Sequence, residues 1–280
     1  MTERKLFLMQ RAEIVGLILG RLENQRRDIE TMWGSHPGTN TRFFYVDELL
    51  PVAIVDEAYK AFPRDAEGFF SKDSFREKKR ISSQLSHYAP ILGELTYALQ
   101  DPAVISKVAE LTGMTGLEPD ASLYAGGLSM MFRDDFLNPH IDNSHDAKRD
   151  RYRRLNLLYY VSPEWKLENG GNFELWNEER DAPVTIVSKP NRLLVMETNK
   201  TSWHSVNKVN VDAPRCCVSN YYFSKDSPDR TDYFHVTSYD GRPDEPIKKI
   251  VTAADNVLRQ AVSSTLKIGR GKSNVNKEGS

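Results

Sequence analysis

The strongest constraint on the fold is a series of six short segments between residues 127 and 223 that have the composition of β-strands. They are separated by turn-forming residues and span 127–132, 154–161, 172–176, 184–187, 192–197 and 215–223. In the turn at 169–172, glycines can supply the positive φ that such a reversal needs. Strands that follow one another without intervening helices predict an antiparallel sandwich or barrel and argue against alternating βα units.

The first third of the chain is predicted to be largely helical. Apolar residues recur at helical spacing in three segments, 12–22, 51–62 and 90–99. A short strand-like run at 43–46 lies between the first two. A fourth helix is expected over 101–113. Asp is a favoured N-cap, Pro suits the first helical turn and Gly suits the end, and all three stand in place there.

Charge and cysteine content exclude several classes of protein. Lys and Arg number 38 and Asp and Glu 39, so the net charge of −1 argues against nucleic acid or an anionic membrane as the main partner. Cys216 and Cys217 are adjacent, so they build neither a disulfide framework nor a Cys-x-x-Cys metal site. The apolar stretch 14–20 is too short to span a bilayer. We therefore expect a cytoplasmic protein.

Two histidines and an aspartate have the order and spacing of an iron site. His140 and Asp142 form an HxD pair, and His204 lies 62 residues beyond Asp142. In an extended segment, residues i and i+2 point the same way, so one imidazole and one carboxylate can reach the same ion. A third ligand from a distant strand would complete the 2-His-1-carboxylate triad that holds Fe(II). HxD pairs are common by chance, so the segments around His140, Asp142 and His204 decide whether these residues indicate a metal site.

Those surroundings resemble the Fe(II)/2-oxoglutarate-dependent oxygenases of the prolyl 4-hydroxylase type. Six segments in the same order carry the resemblance, which covers roughly residues 127 to 225: FLNPHID at 136–142, RLNLLYYV at 154–161, GGNFELW at 170–176, NRLLVM at 191–196, WHSV at 203–206 and RCCVS at 215–219. One departure is Met131, which stands where many members of that family have a tyrosine.

The resemblance implies a role for each matching residue. His140, Asp142 and His204 would bind Fe(II), and Arg215 would bind the distal carboxylate of 2-oxoglutarate. Further contacts to 2-oxoglutarate are expected from residues on the same inward faces of two strands: Tyr160 and Asn156 on one, and Ser219 on the strand led by Arg215. By the alternation of side chains along a strand, Tyr159 and Cys216 should point the other way.

The implied reaction is a dioxygenase reaction in which 2-oxoglutarate and O₂ are converted to succinate and CO₂ while a C–H bond of the substrate is hydroxylated. Asp142 favours hydroxylation, because related halogenases have a small residue in its place so that halide can bind iron. Desaturation and ring closure stay open, and ascorbate is a candidate reductant. A small substrate, an amino acid or a biosynthetic intermediate, is favoured. The alternatives are a peptidyl (prolyl-type) hydroxylase and a metal-binding jelly-roll protein without oxygenase activity.

We therefore predict a mainly β fold with flanking helices, whose core is a double-stranded β-helix (jelly roll). A single oxygenase domain is expected over 1–265, with a largely helical support region at 1–120, the core at 121–225 and a C-terminal extension at 226–265. Residues 266–280 are expected to form a flexible tail.

The basic run at 148–154 is either a solvated face or an attractor for an anionic substrate. A homodimer is compatible with the sequence. Of the remaining histidines, His145 is expected in a solvated loop and His235 is expected to be structural.

Overall fold

A computed structural model of the protein describes residues 10–34, 36–124, 126–229 and 231–266, without the side chains of 246–248 and 262–266. Its six α-helices are α1 (Arg11–Asn24), α2 (Arg26–Met32), α3 (Val52–Ala61), α4 (Pro90–Ala98), α5 (Pro102–Thr112) and α6 (Pro246–Leu266). The strands are β1 (Phe43–Val46), β2 (Phe70–Asp73), β3 (Glu77–Ser82), β4 (Glu118–Pro119), β5 (Gly127–Met131), β6 (Phe136–Ile141), β7 (Tyr152–Tyr160), β8 (Phe173–Trp176), β9 (Pro183–Ile186), β10 (Arg192–Glu197), β11 (His204–Val206), β12 (Arg215–Ser224) and β13 (Ser238–Tyr239).

The strands form one curled antiparallel sheet. Its order is β1-β10-β7-β12-β5-β3-β6-β11-β8-β9, with β2 beside β3, β4 beside β12 and β13 beside β6. Most neighbours in this order are distant in sequence, so the sheet is built by long crossovers, and hairpins such as β2–β3 and β8–β9 are in the minority. This arrangement is the predicted mainly β jelly-roll core with flanking helices.

Two separate apolar clusters lie on the two faces of this sheet. The larger cluster joins the helices to the outer face and contains Tyr159 and Cys216, whereas the smaller one fills the lumen and contains Tyr160 and Cys217. Successive side chains of a strand point to opposite faces. The predicted facing of both pairs is therefore confirmed. The helices therefore pack against the outer face of the sheet, and none of their described residues belongs to the lumen cluster.

Helices α1, α3, α4 and α5 occur where the sequence predicted them, whereas α2 and α6 were not predicted. The ends of α5 show why the prediction succeeded. The Asp101 carboxylate accepts a hydrogen bond from the backbone N–H of Ala103 at 2.9 Å, Pro102 occupies the first turn, and Gly113 ends the helix at φ 67°. These contacts satisfy backbone groups that a helix end leaves unpaired.

The hairpin β2–β3 was not predicted by the sequence, which indicated a largely helical support region over residues 1–120 with a short strand at 43–46. Its strands, FSKD and EKKRIS, are rich in charge and have no alternating apolar pattern. Pattern analysis depends on one buried apolar face. This hairpin instead pairs with β5 and β6 through β3 and brings charged side chains to the sheet.

The remaining sequence expectations concern the ends of the chain and the membrane. The segment 267–280, which holds nearly all of the expected tail, lies outside the described residues. No helix in the described ranges combines the length and apolar character that crossing a bilayer requires.

Asp120 lies in the loop after β4 and is buried without full hydrogen bonding. Its Oδ1 accepts a hydrogen bond from the Ser122 hydroxyl at 2.9 Å, while Oδ2 has no hydrogen-bond partner among the described residues. Burial raises the pKa of Asp120 to about 6. The folded protein therefore holds this proton more tightly than the unfolded chain does, whose carboxyl has the ordinary pKa of 3.8.

Replacing Asp120 by asparagine is expected to stabilise the protein at pH 7 by about 2 to 3 kcal/mol. As pH rises from about 4 to about 6, the unfolded chain loses the Asp120 proton first, so wild-type stability falls relative to the variant. Above that window the difference should be constant. Urea unfolding of both proteins at pH 4, 5, 6 and 7 measures it, and a difference that does not grow between pH 4 and 6 would contradict the assignment.

Candidate active site

The sheet register brings three distant residues together at one end of the lumen. β11 pairs antiparallel with β6, and His204 is directly opposite His140 in that pair. Asp142 follows β6 immediately, so its carboxylate points to the same side as His140. One ligand atom from each of the three side chains lies within 4.8 Å of the others. The predicted triad is therefore assembled by the pairing of two strands more than 60 residues apart.

Both imidazoles are held so that Nε2 faces the centre of the triad. His140 Nδ1 lies 3.0 Å from the carbonyl oxygen of Asn138, and His204 Nδ1 lies 2.9 Å from that of Ser202. An Nδ1–H that donates to a backbone carbonyl leaves the lone pair on Nε2. Asp142 Oδ1 is 3.7 Å from His140 Nε2, and Asp142 Oδ2 is 3.8 Å from His204 Nε2.

The protonation states of the triad are those that metal ligation needs. Burial lowers the pKa of His140 to about 3, with the nearby His204 acting in the same direction, and burial also lowers the pKa of His204. Burial alone would raise the pKa of Asp142, but Arg153 and the two imidazoles hold it below its ordinary value. Neutral imidazoles and an ionised carboxylate are the forms that coordinate metals.

The donor set fits Fe(II). Asp142 Oδ2 is buried and makes no hydrogen bond among the residues described; its neighbour is the Arg153 guanidinium, whose Nη1 lies 3.3 Å away in an ion pair, so the oxygen still has a lone pair for a metal ion. Two imidazole nitrogens and one carboxylate oxygen are the facial ligands of non-haem Fe(II) oxygenases, and they leave the opposite positions open. Thiols are not part of this set, because burial raises the pKa of Cys217 to about 11 and keeps it protonated.

A second polar cluster contains Arg215 at the start of β12, and its neighbour Tyr160 belongs to the apolar cluster of the lumen. Arg215 is 3% exposed, its Nε donates to the Ser188 hydroxyl at 3.1 Å, and its guanidinium lies 4.8 Å from the centre of the Tyr160 ring. The Tyr160 hydroxyl is buried and has no hydrogen-bond partner in the described part of the chain. A buried cation beside an unsatisfied hydroxyl suits a carboxylate ligand.

The other two predicted contacts lie on the same lumen wall. Asn156 is opposite Tyr221 in the pairing of β7 with β12, and Ser219 is opposite Leu158. Asn156 Oδ1 is buried and unpaired among described residues, and a 180° turn of this amide would present its NH₂ group there instead. The Ser219 hydroxyl lies 3.8 Å from Cys217 Sγ. Met131, the departure from the family pattern, lies against Arg215, whose Nη1 is 3.6 Å from the Met131 sulfur.

The double glycine before β8 makes room for Arg215. Gly171 has φ 62°, and a Cβ on it would lie 2.8 Å from Arg215 Cδ. The turn and the guanidinium therefore share the same space, which explains why a side chain is excluded at this position. Gly113 has a similar φ of 67°, but a Cβ there would contact nothing within 4 Å.

The substitution Gly171→Ala is expected to raise the KM for 2-oxoglutarate by about tenfold, because the added methyl group displaces Arg215 from its position. Initial rates at varied 2-oxoglutarate measure it. Gly113→Ala is the matched control, since it introduces the same backbone strain without a steric clash. If both variants lose stability but neither changes KM, Gly171 has only a backbone role.

Several residues around the triad were not predicted from the sequence. Tyr239 of β13 stacks on His140 with ring centres 5.4 Å apart, and its hydroxyl donates to Glu77 Oε1 of β3 at 3.1 Å. Lys72 and Lys79 form ion pairs with Glu77 at 3.3 Å, and they lower the pKa of Glu77 to about 2 despite its burial. Nothing in the local sequence marks these residues, because β2, β3 and β13 approach the site only through long-range pairing.

Two other sequence expectations need correction. His145 is not in a solvated loop, since it is 7% exposed and its ring centre lies 4.3 Å from that of Tyr152. The basic run 148–154 is not a uniform solvated face either. Arg151 pairs with Glu118, whereas Arg153 is buried in the lumen with its Nη1 3.3 Å from Asp142 Oδ2.

Comparison with known proteins agrees with this site. Residues 126–223 match the family model of the 2OG-Fe(II) oxygenase superfamily, and this range contains the triad and Arg215. A search of curated proteins finds no match.

Solved structures with the same fold include three prolyl hydroxylases. One, from Trichoplax adhaerens in complex with a peptide fragment of the hypoxia inducible factor oxygen degradation domain, is 18% identical over 83% of this chain and 99% of its own, with a TM-score of 0.50. A prolyl-4-hydroxylase from Pseudomonas putida is 14% identical over 75% and 98% of the two chains, with a TM-score of 0.50. A prolyl 4-hydroxylase from Phytophthora capsici is 13% identical over 90% and 78%, with a TM-score of 0.51.

At these identities the structural likeness shows the jelly-roll fold, and the family model adds the chemistry. Members of the matched family use Fe(II), 2-oxoglutarate and O₂, and the two clusters of the lumen provide suitable groups for the metal and the co-substrate. Residues 126–223 of this protein have the sequence of the 2OG-Fe(II) oxygenase superfamily, and this match identifies the protein as an oxygenase.

Proposed function

We propose that this protein hydroxylates a C–H bond of a small molecule, an amino acid or a biosynthetic intermediate, and converts 2-oxoglutarate and O₂ to succinate and CO₂. The observation that carries the proposal is that one lumen holds two sets of unsatisfied polar groups. Asp142 Oδ2 of the triad has no hydrogen bond in the described residues, and the Tyr160 hydroxyl is likewise unpaired. Phe173 links the two sets, because it stacks on His204 and belongs to the same lumen cluster as Tyr160.

The proposed division of labour follows from the contacts. His140, Asp142 and His204 would hold Fe(II), which supplies the redox chemistry that couples 2-oxoglutarate decarboxylation to C–H oxidation. The carbonyls of Asn138 and Ser202 fix the two imidazoles in the tautomer that ligation needs. Asp142 presents a carboxylate rather than a small side chain at the third position, which favours hydroxylation over halogenation.

On the co-substrate side, the Arg215 guanidinium would bind the distal carboxylate of 2-oxoglutarate, and the Tyr160 hydroxyl would donate to the same group. Burial in a water-poor lumen strengthens both interactions. The pKa of Tyr160 is raised by burial, so this hydroxyl keeps its proton at all ordinary pH values and remains a donor. Asn156 and Ser219 would complete the polar wall of the co-substrate pocket.

A small substrate is favoured because two segments that border the site are tied together. The hairpin β2–β3 lies on one side and the C-terminal segment with β13 and α6 on the other. Arg76 Nη1 is 2.7 Å from Asp255 Oδ2, and the Tyr239 hydroxyl donates to Glu77. In the proposed arrangement an extended peptide would have to pass between these two segments, which the contacts hold together. Peptidyl hydroxylation, the alternative, would require the Arg76–Asp255 and Tyr239–Glu77 contacts to break.

The decisive experiment measures 2-oxoglutarate binding and succinate formation by the purified protein reconstituted with Fe(II). Binding that depends on metal, and succinate released under O₂, are the expected results. A protein with bound Fe(II) that binds no 2-oxoglutarate would overturn the proposal. A crosslink between positions 76 and 255, introduced as a cysteine pair, separates the substrate classes. It should leave small-molecule turnover intact and would abolish turnover of a peptide.

A further inference from the structure

The lumen contains a buried arginine, Arg153, that contacts the metal triad through only one of its nitrogens. Arg153 is 2% exposed and stands opposite Phe223 in the pairing of β7 with β12, where the register shifts between Tyr222 and Phe223. This β-bulge adds one residue, Arg154, to β7. Simple alternation from Asn156 would point Arg154 inward, and the bulge turns Arg153 inward instead. Bulges commonly re-aim a side chain next to an active site.

The contacts of Arg153 leave one edge of its guanidinium unused. Nη1 lies 3.3 Å from Asp142 Oδ2, and the face of the group lies 4.0 Å from the centre of the Tyr221 ring. Nε and Nη2 are buried and have no hydrogen-bond partner within the described part of the chain. These two nitrogens form the side edge of the guanidinium, whose two parallel N–H bonds match the two oxygens of a carboxylate.

His235 carries a second unpaired group, and backbone hydrogen bonds through Ser144 connect it to Arg153. The backbone N–H of Arg153 donates to the Ser144 carbonyl at 2.8 Å. The backbone N–H of Ser144 donates to the His235 carbonyl at 3.1 Å, and the backbone N–H of His235 donates to the Ser144 hydroxyl at 2.9 Å. The segments that contain Arg153, Ser144 and His235 therefore lie side by side, and Ser144 is two residues after Asp142. His235 is thus tied to the segment that follows Asp142, and the charge of Asp142 acts on its ring, although the sequence indicated only a structural role.

The ring of His235 presents an acceptor. Its Nδ1 lies 3.2 Å from the Val236 carbonyl oxygen, so Nδ1 carries the proton, and Nε2 is buried without a hydrogen-bond partner among the residues described. Burial lowers the pKa of this imidazole, and the charges of Asp142 and Arg153 both act on it, in opposite directions. A neutral ring with a free Nε2 lone pair accepts a hydrogen bond from an O–H or N–H group.

α6 holds this segment in place. The Gln260 amide accepts from the backbone N–H of Val236 at 3.1 Å and donates to the carbonyl of Phe234 at 3.1 Å, so the two residues that flank His235 are both fixed. Asn256 makes the same kind of paired contact with the backbone of Tyr239, at 2.9 and 2.6 Å. The acceptor is therefore presented on a rigid support, as a specific binding site requires.

We propose that Arg153 and His235 form a substrate-anchoring site beside the metal, which binds a carboxylate with a neighbouring O–H or N–H donor, as in an amino acid or a hydroxy acid. This inference rests on the proposed function and names its substrate class. The Nε/Nη2 edge of Arg153 pairs with the carboxylate, and His235 Nε2 accepts from the neighbouring donor. Arg153 would thereby hold the target carbon close to the triad.

Charge balance favours an acidic substrate. Four charged groups of the loaded site add up to zero: Asp142, Arg215, a divalent ion and doubly ionised 2-oxoglutarate. Because Asp142 is then a metal ligand, Arg153 has no counter-charge among these groups. Asp120 is another carboxyl whose charge acts on Arg153, and it forms no ion pair with it among the described contacts. A buried unpaired guanidinium is costly, and a substrate carboxylate would remove that cost.

The test measures ligand binding without turnover. The protein is loaded with Zn(II), which has no redox chemistry, and saturated with 2-oxoglutarate so that Arg215 is occupied. The probes are the twenty protein L-amino acids, their 2-hydroxy acid analogues, the methyl ester of each, and the acids that lack the 2-substituent. Saturation-transfer NMR identifies binders and calorimetry gives Kd. At least one free acid should bind, and its methyl ester should bind at least tenfold more weakly.

Variants assign the contacts. Arg153→Gln should weaken binding of the free acid by about 30- to 100-fold, the size expected for a charge-assisted bidentate pair. It should change ester binding little. His235→Phe should weaken the amino or hydroxy acid by about fivefold and leave the acid without the 2-substituent unchanged. Arg154→Gln is the matched control, because it removes the same charge from the outward residue of the same bulge, and it should leave every Kd unchanged.

The outcomes are separable. If the wild-type protein does not bind 2-oxoglutarate, the proposed function fails. If it binds 2-oxoglutarate but no acid, or acids and esters equally, only the substrate-anchoring site is overturned. The same holds if Arg153→Gln reduces Zn(II) and acid binding in equal measure, because Arg153 would then only position Asp142. His235→Phe tests the site independently of that interaction.

Discussion

Replacing His204 by alanine is expected to abolish retention of Fe(II) and to lower 2-oxoglutarate-dependent succinate formation by more than about 100-fold. Loss of a residue that merely orients a ligand costs about 10- to 100-fold in metal affinity, so loss of a ligand should cost more. His204 donates through Nδ1 to the Ser202 carbonyl and directs Nε2 to the triad, so the substitution removes one of the three ligands. Iron content after gel filtration and succinate release measure the effect.

The variant should remain folded. The His204 ring packs against Phe173, with ring centres 5.5 Å apart, and its removal leaves a cavity that costs about 2 to 3 kcal/mol. Circular dichroism and the unfolding midpoint check this. His145→Ala is the matched control, because it truncates another buried imidazole, outside the triad, and should retain iron. Stoichiometric iron in the His204 variant would show that the ligand assignment is wrong.

Replacing Arg215 by glutamine is expected to raise the KM for 2-oxoglutarate by about 100-fold while Fe(II) is retained. The change removes a buried, always-charged donor from the proposed carboxylate pocket, and truncating one partner of such a pair costs about 2 to 5 kcal/mol. Arg215→Lys keeps the charge but loses the planar fork, so an intermediate rise of about tenfold is expected. Initial rates and iron content measure both.

Co-substrate preference gives this prediction its sharpest control. 2-Oxobutanoate has the 2-oxo acid group but lacks the distal carboxylate, so it gains nothing from Arg215. The wild-type protein should strongly prefer 2-oxoglutarate, and the glutamine variant should lose most of that preference. If the ratio of kcat/KM for the two oxo acids is the same in both proteins, Arg215 does not bind the distal carboxylate.

Strand parity made much of the lumen predictable. Alternation along β12 places Arg215, Cys217 and Ser219 on one face, and alternation along β7 adds Tyr160 and Asn156. Parity is local, since each side chain's direction depends only on its neighbours in an extended chain. Four helices, α1, α3, α4 and α5, were predictable for a similar reason, because apolar periodicity and the cap at Asp101 are local signals.

The alternation of side chains along β7 breaks at Arg153 and Arg154, and Arg153 belongs to the proposed substrate-anchoring site. The bulge in β7 shifts the register between Tyr222 and Phe223 and exchanges the directions of Arg153 and Arg154. A bulge depends on how two strands distant in sequence pair, so the run of basic residues at 148–154 could not indicate which arginine faces the lumen. The structure selects Arg153.

The sequence by itself determined the kinds of groups at the metal site. An HxD pair, a distant histidine and an arginine eleven residues beyond it, all within strand-like segments, indicate the chemistry because ligand type and strand alternation are encoded locally. The tertiary structure alone decided what surrounds that site. His235, Tyr239, Glu77 and Lys79 come from segments with no local signal, and they reach the lumen because non-local backbone pairing and the contacts of α6 place them there.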